Sequence, residues 1–268
     1  MVKHIIFTSL LVLIALFGSL PLWTQAKQTQ QCKSKSGRIL LTAVPSINYA
    51  QSVPVSVYVP PCYAPDRESF YPVIYLLHGS GADETQWPDL NMQSSADALI
   101  AHGAVPFVGV MPGAVYYNPV DYGEFVVKDL LPGIEAQFHV AKVRSGRGIG
   151  GLSLGGFWAL KIAFLHPDLF AAVGGYSPVV DRGDFDDPLS LARQLDSRAL
   201  QGLNIDLDVG DQDSLLYDTQ GLAQVLRSRG LTVSLTIGQG GHDRVYWRAH
   251  TYDYFRFYLD EMMPPQTF

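Results

Sequence analysis

The fold prediction begins at residues 147–166, RGIGGLSLGGFWALKIAFLH. The apolar run that ends at Gly151 predicts a buried strand, and the apolar spacing from Gly155 to His166 predicts a helix. Between them, residues 151–155 fit the pattern Gly-x-Ser-x-Gly, which places Ser153 on a sharp turn from strand to helix. Small residues on either side of the serine let the two backbones pack closely. The stretch therefore predicts a strand–helix unit with an exposed serine hydroxyl at its turn.

Further apolar runs on both sides of this unit predict more strands and helices. We predict buried strands at 73–77, 105–111, 147–151, 170–174, 204–209 and 231–237, and helices at 122–139, 155–166, 215–229 and 245–260. Pro132 is expected to kink or break the first helix. Alternating residues at 38–44 and 53–59 predict an antiparallel opening pair.

Short apolar strands separated by helices are typical of a buried parallel sheet with crossover helices. The fold class is therefore α/β, with a mostly parallel central sheet, an antiparallel N-terminal strand pair and helices on both faces. Residues 178–202 form an irregular, charged insertion that could cap a site.

Composition excludes several classes of protein. The chain has 268 residues, of which 47% are hydrophobic and 16% are charged, so disorder and a coiled coil are excluded. Its formal net charge of -6 repels phosphate backbones, and we expect no nucleic-acid partner. The sequence contains no signal for an oligomeric state.

Residues 1–26 have the order of a signal peptide. Lys3 provides a basic start, residues 5–20 are almost wholly apolar, and Ala26 is a small residue at the cleavage edge. The apolar run is shorter than the roughly 20 residues that span a bilayer. We predict cleavage after Ala26, export to the periplasm or the medium, and no stable membrane insertion afterwards, with an uncleaved anchor as the alternative. Residues 27–37 are then an N-terminal tail and 38–263 a single domain.

Two cysteines, Cys32 and Cys62, follow the predicted leader. Because the chain is expected to enter an oxidising compartment, they predict a disulfide. Neither cysteine has the spacing of a zinc or redox motif, and the histidines form no metal-binding pattern, so no metal is predicted.

A serine hydroxyl needs a base and a carboxylate behind that base before it acts as a nucleophile. In α/β-hydrolases the acid and then the histidine follow the serine in the chain. The predicted strand 204–209 is followed by Asp211 and Asp213, and the strand 231–237 is followed by His242. His242 is preferred over His250, which lies inside an aromatic helix. Asp213 is favoured over Asp211 as the acid.

The second requirement is an oxyanion hole made of backbone N–H groups. Leu154, directly after the serine, provides one donor, and Ser80, in the loop after the strand 73–77, provides the other. His78 lies in the same loop, where we expect it to bond backbone. The segment 146–151 also fits Gly-x-Gly-x-x-Gly, but it begins before its strand ends, so no nucleotide cofactor is predicted.

Aromatic residues near the predicted site loops are candidates for substrate binding. They are Trp87, Tyr116 and Tyr117, together with Trp158, for which core packing is at least as plausible.

Four motifs in order resemble the esterase D type esterase family of the α/β-hydrolase fold, especially its feruloyl-esterase-like bacterial members. They are residues 57–61 with 71–79, 150–156, 210–216 and 240–243. The resemblance implies a triad of Ser153, Asp213 and His242, oxyanion donors at Ser80 and Leu154, and no cofactor.

These residues predict an exported serine carboxylester hydrolase that acts on a small or carbohydrate-linked ester. Two alternatives stay open. An acyltransferase of the mycolyltransferase type would use the same acyl-enzyme, and a non-catalytic envelope-binding protein would keep only the fold.

Overall fold

The computed structural model describes residues 32–47, 49–113 and 122–262. Its strands are β1 (Arg38–Ser46), β2 (Gln51–Val59), β3 (Val73–Leu77), β4 (Val108–Pro112), β5 (Arg147–Leu152), β6 (Ala172–Tyr176), β7 (Asn204–Gly210) and β8 (Val233–Gly238). Its α-helices are α1 (Gln86–Asp89), α2 (Met92–Ala101), α3 (Tyr122–Glu124), α4 (Leu131–Gln137), α5 (Leu154–Leu165), α6 (Pro188–Gln194), α7 (Leu216–Ser228) and α8 (Arg244–Glu261).

One eight-stranded sheet organises the chain, in the order β1-β2-β4-β3-β5-β6-β7-β8. β1 pairs antiparallel with β2, and β2 pairs antiparallel with β4. All the other pairs are parallel. The predicted mixed sheet with an antiparallel N-terminal pair is therefore confirmed, and the carboxyl ends of β3, β5, β6, β7 and β8 meet at one edge.

The helices cover both faces of this sheet, because side chains along each buried strand alternate between the two. In β3, Val73, Tyr75 and Leu77 pack in a cluster that includes residues of α5 and α7. Ile74 and Leu76 pack in a second cluster with residues of α1, α2 and α8. Both clusters are buried, which explains why the parallel strands are continuously apolar in the sequence.

Several predicted element boundaries differ from the structure. The predicted strands 105–111, 170–174 and 231–237 begin two or three residues later than expected, because apolar residues lead into a strand before pairing starts. Helices α1 and α2 were not predicted, and α6 lies inside the segment expected to be irregular.

The predicted helix 122–139 is three consecutive segments, with a π-helical turn at Phe125–Leu130 between α3 and α4. Pro132 lies in the first turn of α4, directly after the π-helical turn. A proline lacks the N–H, and its ring crowds the carbonyl four residues earlier, which is that of Lys128 in the π-helical turn. The expected irregularity therefore lies on the N-terminal side of the proline.

Residues from Lys33 onward form one compact unit. Ser36 and Gly37, in the predicted tail, bond the Asp97 carboxylate: the Ser36 hydroxyl lies 2.7 Å from Oδ2 and the Gly37 N–H 2.8 Å from Oδ1. Cys32 and Cys62 are both disulfide-bonded. Within the described ranges, no helix is both long and apolar enough to cross a bilayer. The predicted leader lies outside the described residues.

Candidate active site

Ser153 lies on the turn between β5 and α5, with φ 54° and ψ −116°. A positive φ is uncommon for a residue with a side chain, and such strain persists only where the surroundings hold it. Here the Ser153 N–H donates to the Tyr176 carbonyl at 2.9 Å, and the Ser153 carbonyl accepts from Val179 at 3.2 Å. The loop after β6 thus fixes the strained turn from both sides.

The glycines of the motif allow the turn to pack against its neighbours. A Cβ atom on Gly151 would overlap the Gly155 backbone, and one on Gly155 would overlap the carbonyls of Leu77 and His78. The turn and the end of β3 therefore touch through backbone alone. The same contacts bring the loop after β3 to Ser153.

A chain of hydrogen bonds joins three side chains from three strand ends. His242 Nε2 is 2.9 Å from Ser153 Oγ, and His242 Nδ1 is 2.9 Å from Asp213 Oδ2. The Asp213 side chain is fully buried, whereas 31% of the His242 side chain is exposed. Because a carboxylate only accepts, Nδ1 carries the proton and Nε2 presents its lone pair to the serine. This is the arrangement that activates a serine.

The structure separates the candidate residues that the sequence left open. Asp213 contacts His242 and also accepts the Leu215 N–H at 2.9 Å. Asp211 instead accepts the Gly240 N–H at 3.0 Å, so it links the two loops and does not touch the imidazole. His250 lies in α8, where its Nδ1 donates to the Tyr246 carbonyl at 2.8 Å.

The predicted oxyanion loop lies beside the serine. A Cβ atom on Gly79 would lie 3.6 Å from Ser153 Cβ, and Ser80 follows it as an exposed residue. Leu154 is the first residue of α5, where N–H groups lack helical partners. The roles of Ser80 and Leu154 as oxyanion donors stay predictions. His78 is buried, and its Nδ1 donates to the Gly79 carbonyl at 2.8 Å.

One substrate-binding prediction is wrong. Trp87 is fully buried, and its indole N–H donates to the Leu77 carbonyl at 3.2 Å. It packs against Tyr176, Tyr254 and Phe255 in the core, so it lines no accessible pocket. Tyr116 and Tyr117 lie outside the described residues.

Trp158 is partly buried and packs edge-on against Phe157, with the Lys161 ammonium 5.1 Å from the centre of its ring. Trp158 also packs against the aliphatic core, and a place in the substrate pocket stays a prediction.

Sequence reasoning missed two side chains that support the site. Gln86 Oε1 accepts the Gly79 N–H at 2.7 Å and so holds the loop after β3. Trp247 packs edge-on against His242 with ring centres 5.0 Å apart, and its N–H donates to Ser177 Oγ at 3.2 Å. The position of Trp247, five residues after His242 at the start of a helix, is the signal that could have identified it.

A cation site needs several donor side chains close together. Over residues 32–47, 49–113 and 122–262, no three His, Cys, Asp or Glu side chains come together as metal ligands would.

A serine on a strand-to-helix turn of a mostly parallel sheet, followed in the chain by an acid and a histidine, defines an α/β-hydrolase. Comparison with known families gives a more specific assignment. The model of the "Putative esterase" family matches residues 46–265, and the chain belongs to that family.

Two curated relatives illustrate the similarity. Esterase Rv1288 of Mycobacterium tuberculosis is 34% identical over 143 residues, which are 49% of this chain and 30% of the relative. An endo-1,4-beta-xylanase/feruloyl esterase of Xylanibacter ruminicola is 31% identical over 137 residues, which are 44% of this chain and 18% of the relative. The chain thus spans less than a third of the length of these relatives.

Solved structures share the fold. A ferulic acid esterase superposes with a TM-score of 0.79 at 24% identity, covering 84% of this chain and 98% of the other. The serine hydrolase FphF of Staphylococcus aureus superposes with a TM-score of 0.74 at 18% identity, covering 84% and 99%. The predicted family and fold are therefore confirmed.

Proposed function

We propose that this protein is an exported serine carboxylester hydrolase that acts on a small or carbohydrate-linked ester. One observation carries the proposal: the hydrogen-bonded line from Ser153 Oγ through His242 to the buried Asp213 carboxylate, with 2.9 Å at each step. The names of the relatives, an esterase and a xylanase/feruloyl esterase, support an ester as substrate. Export rests on the signal-peptide pattern of residues 1–26.

The geometry supports a two-stage reaction. Ser153 Oγ attacks the ester carbonyl carbon while His242 Nε2 takes the hydroxyl proton, and the carbonyl oxygen becomes an oxyanion. The N–H groups of Leu154 and Ser80 are the proposed donors to that oxygen, each typically contributing about 3 kcal/mol in the transition state.

The tetrahedral intermediate then collapses. The alcohol leaves with the proton from His242, and the acyl group stays on Ser153. Water, deprotonated by His242, attacks the acyl carbon. The bond to Ser153 Oγ then breaks, the acid leaves, and Oγ takes the proton back from His242. Asp213 keeps the imidazole in the required tautomer and stabilises the imidazolium in both stages.

The test is a hydrolysis panel of p-nitrophenyl esters from acetate to laurate plus methyl ferulate, with wild type, Ser153→Ala and His242→Ala. We expect wild type to turn over and both variants to lose about a thousandfold or more in kcat. His102→Ala is the matched control, because His102 is an exposed histidine on the far end of α2. An inert, folded wild type that also fails to react with a fluorophosphonate would refute the proposal.

The same panel separates hydrolysis from transfer. With sugar acceptors added, we expect the free acid to remain the main product. A dominant transfer product would instead assign the protein to the acyltransferases, since both reactions use one acyl-enzyme.

A further inference from the structure

The loop that carries His242 rests on a buried tyrosine that the mechanism does not use. This loop, residues 238–242, connects β8 to α8. Tyr246 lies in the first turn of α8 and is 3% exposed. A Cβ atom added to Gly240 would lie 2.7 Å from Tyr246 Cδ2, and one added to Gly238 would lie 2.9 Å from the Tyr246 hydroxyl. The phenol ring therefore lies directly against the backbone of the loop.

The Tyr246 hydroxyl lies between the loop and the sheet. It accepts the Gly238 N–H at 3.3 Å. The carboxylate of Asp208, a β7 residue that is 2% exposed, is close enough to act on it electrostatically. Burial, followed by the nearby Asp208 carboxylate, raises the pKa of Tyr246 well above its ordinary value, so the hydroxyl keeps its proton. Tyr246 thus holds the first residue of the loop by a hydrogen bond from the first turn of α8.

Asp208 is itself held in place. Its Oδ1 accepts the Tyr254 hydroxyl at 2.8 Å, and the Tyr254 ring stacks on Tyr176 with ring centres 3.7 Å apart. The carboxylate next to the Tyr246 hydroxyl is therefore part of the buried core.

The backbone of Tyr246 is fixed to the residue that follows His242. The Asp243 carboxylate caps α8 and accepts the N–H groups of Val245 at 2.8 Å and Tyr246 at 2.9 Å. The opposite side of the loop is fixed by the Asp211 carboxylate at Gly240. Between these points, the hydroxyl of Tyr246 accepts the Gly238 N–H.

We propose that Tyr246 is a positioning residue for His242, through the contact of its ring with Gly240 and the hydrogen bond of its hydroxyl to Gly238. The inference rests on the proposed function, because it assigns Tyr246 a part in the same reaction. A base must stay within hydrogen-bond distance of the serine hydroxyl throughout the reaction, and a 1 Å misplacement can cost about 100-fold. Loss of the hydroxyl removes the hydrogen bond to Gly238 and lets His242 drift.

The experiment compares Tyr246→Phe with Tyr71→Phe. Tyr71 is a matched control because it is also 3% exposed and its hydroxyl also accepts a backbone N–H, that of Ala64 at 3.0 Å. It precedes β3, at the sheet edge opposite the site. Both variants lose one hydroxyl and keep the ring, so their melting temperatures report the same kind of structural loss.

We expect Tyr246→Phe to lower kcat on the best p-nitrophenyl ester by about 10- to 100-fold while KM changes less than about twofold. Fluorophosphonate labelling of Ser153 should slow by a similar factor. Tyr71→Phe should keep the wild-type kcat even if its melting temperature falls by as much as that of Tyr246→Phe.

Three outcomes decide the matter. Wild-type kcat in Tyr246→Phe overturns the inference and leaves the proposed function standing. An equal loss of kcat in both variants also overturns it, because the loss is then one of general stability. A wild type that neither hydrolyses esters nor reacts with the fluorophosphonate refutes the proposed function itself.

Discussion

The face of the sheet covered by α3–α7 is packed mainly with aliphatic side chains, whereas the face covered by α1, α2 and α8 is nearly half aromatic among the described core residues. The first face contains valine and leucine from β2, β3, α5 and α7. The second contains most of the buried tryptophan and tyrosine, and it adjoins two buried acids, Asp206 and Asp208.

The site joins these two faces. Ser153 begins α5, whose Leu154 and Phe157 belong to the aliphatic face. His242 precedes α8, whose Tyr246 and Trp247 belong to the aromatic face. Aliphatic packing is nearly non-directional, while aromatic hydroxyl and indole groups fix both distance and direction. We infer that the aliphatic face mainly stabilises the fold and that the aromatic face also orients the base.

The largest expected effect lies where the faces meet. Asp213→Asn should lower kcat by about 10⁴-fold, because an amide next to His242 Nδ1 favours the wrong tautomer. Asp211→Asn keeps an oxygen for the Gly240 N–H, and we expect it to lose less than about tenfold. Steady-state kinetics of the two purified variants make the comparison. Equal losses would remove the distinction between the two acids.

A substitution on the aliphatic face should change stability and spare catalysis. Leu226 is fully buried in α7, and we expect Leu226→Ala to lower the free energy of unfolding of the protein by about 3 kcal/mol. Its kcat should stay within about twofold of wild type at a temperature where the variant is folded. Urea denaturation measures the first quantity, and Leu165→Ala, at a leucine that is 45% exposed, is the control. A large loss of kcat with little loss of stability would break the assignment of roles.

The aromatic face should confer a pH dependence on stability. Burial, reinforced by the Asp208 carboxylate, raises the pKa of Asp206 to about 7. The folded protein then binds a proton that the unfolded chain has already released, so this group's contribution to stability falls as pH rises from about 4 to about 7. We expect Asp206→Asn to remove this pH-dependent loss of stability.

Melting temperatures of wild type and Asp206→Asn between pH 4.5 and pH 8 provide the measurement. We expect the free energy of unfolding of the variant to rise relative to that of wild type by about 3 kcal/mol across the window. Parallel curves would show that Asp206 titrates at its ordinary value in the folded protein.

The smallest expected effect concerns the ring against the catalytic imidazole. Trp247→Phe keeps an aromatic surface next to His242 but loses the N–H that bonds Ser177 Oγ. We expect about 1 kcal/mol less stability and a fewfold lower kcat. Thermal melts and kinetics on one sample test both, and an unchanged kcat would confine the orienting role to residues other than Trp247.

Much of the architecture follows from the sequence because buried parallel strands are short, continuous and apolar. β3 and β5 lie within a residue of the predicted ranges. The serine turn can be predicted from its two glycines, because only a residue without a side chain lets the strand, the helix and the end of β3 touch through their backbones. The order of serine, acid and histidine, together with their places after strands, predicts which side chains meet.

The remaining features depend on which way a side chain points. Asp211 and Asp213 follow the same strand, and only the folded loops show that one bonds Gly240 and the other His242. Trp87 stands near the predicted site in the sequence, but α1 turns its indole into the core. Asn91, the N-cap of α2, adopts a left-handed conformation at φ 64° and makes no side-chain cap hydrogen bond, so the start of α2 depends on backbone geometry that the sequence does not show.

The hydrogen bonds between the acid loop and the base loop make them one unit for protein engineering. The Asp211 N–H donates to the Gly238 carbonyl at 2.7 Å, and the Gln212 N–H donates to the Gly240 carbonyl at 2.8 Å. A Cβ atom on Gly210 would overlap the Gly240 carbonyl. A graft that moves residues 238–243 into a related scaffold therefore succeeds only if residues 210–215 travel with them, as a two-part cassette.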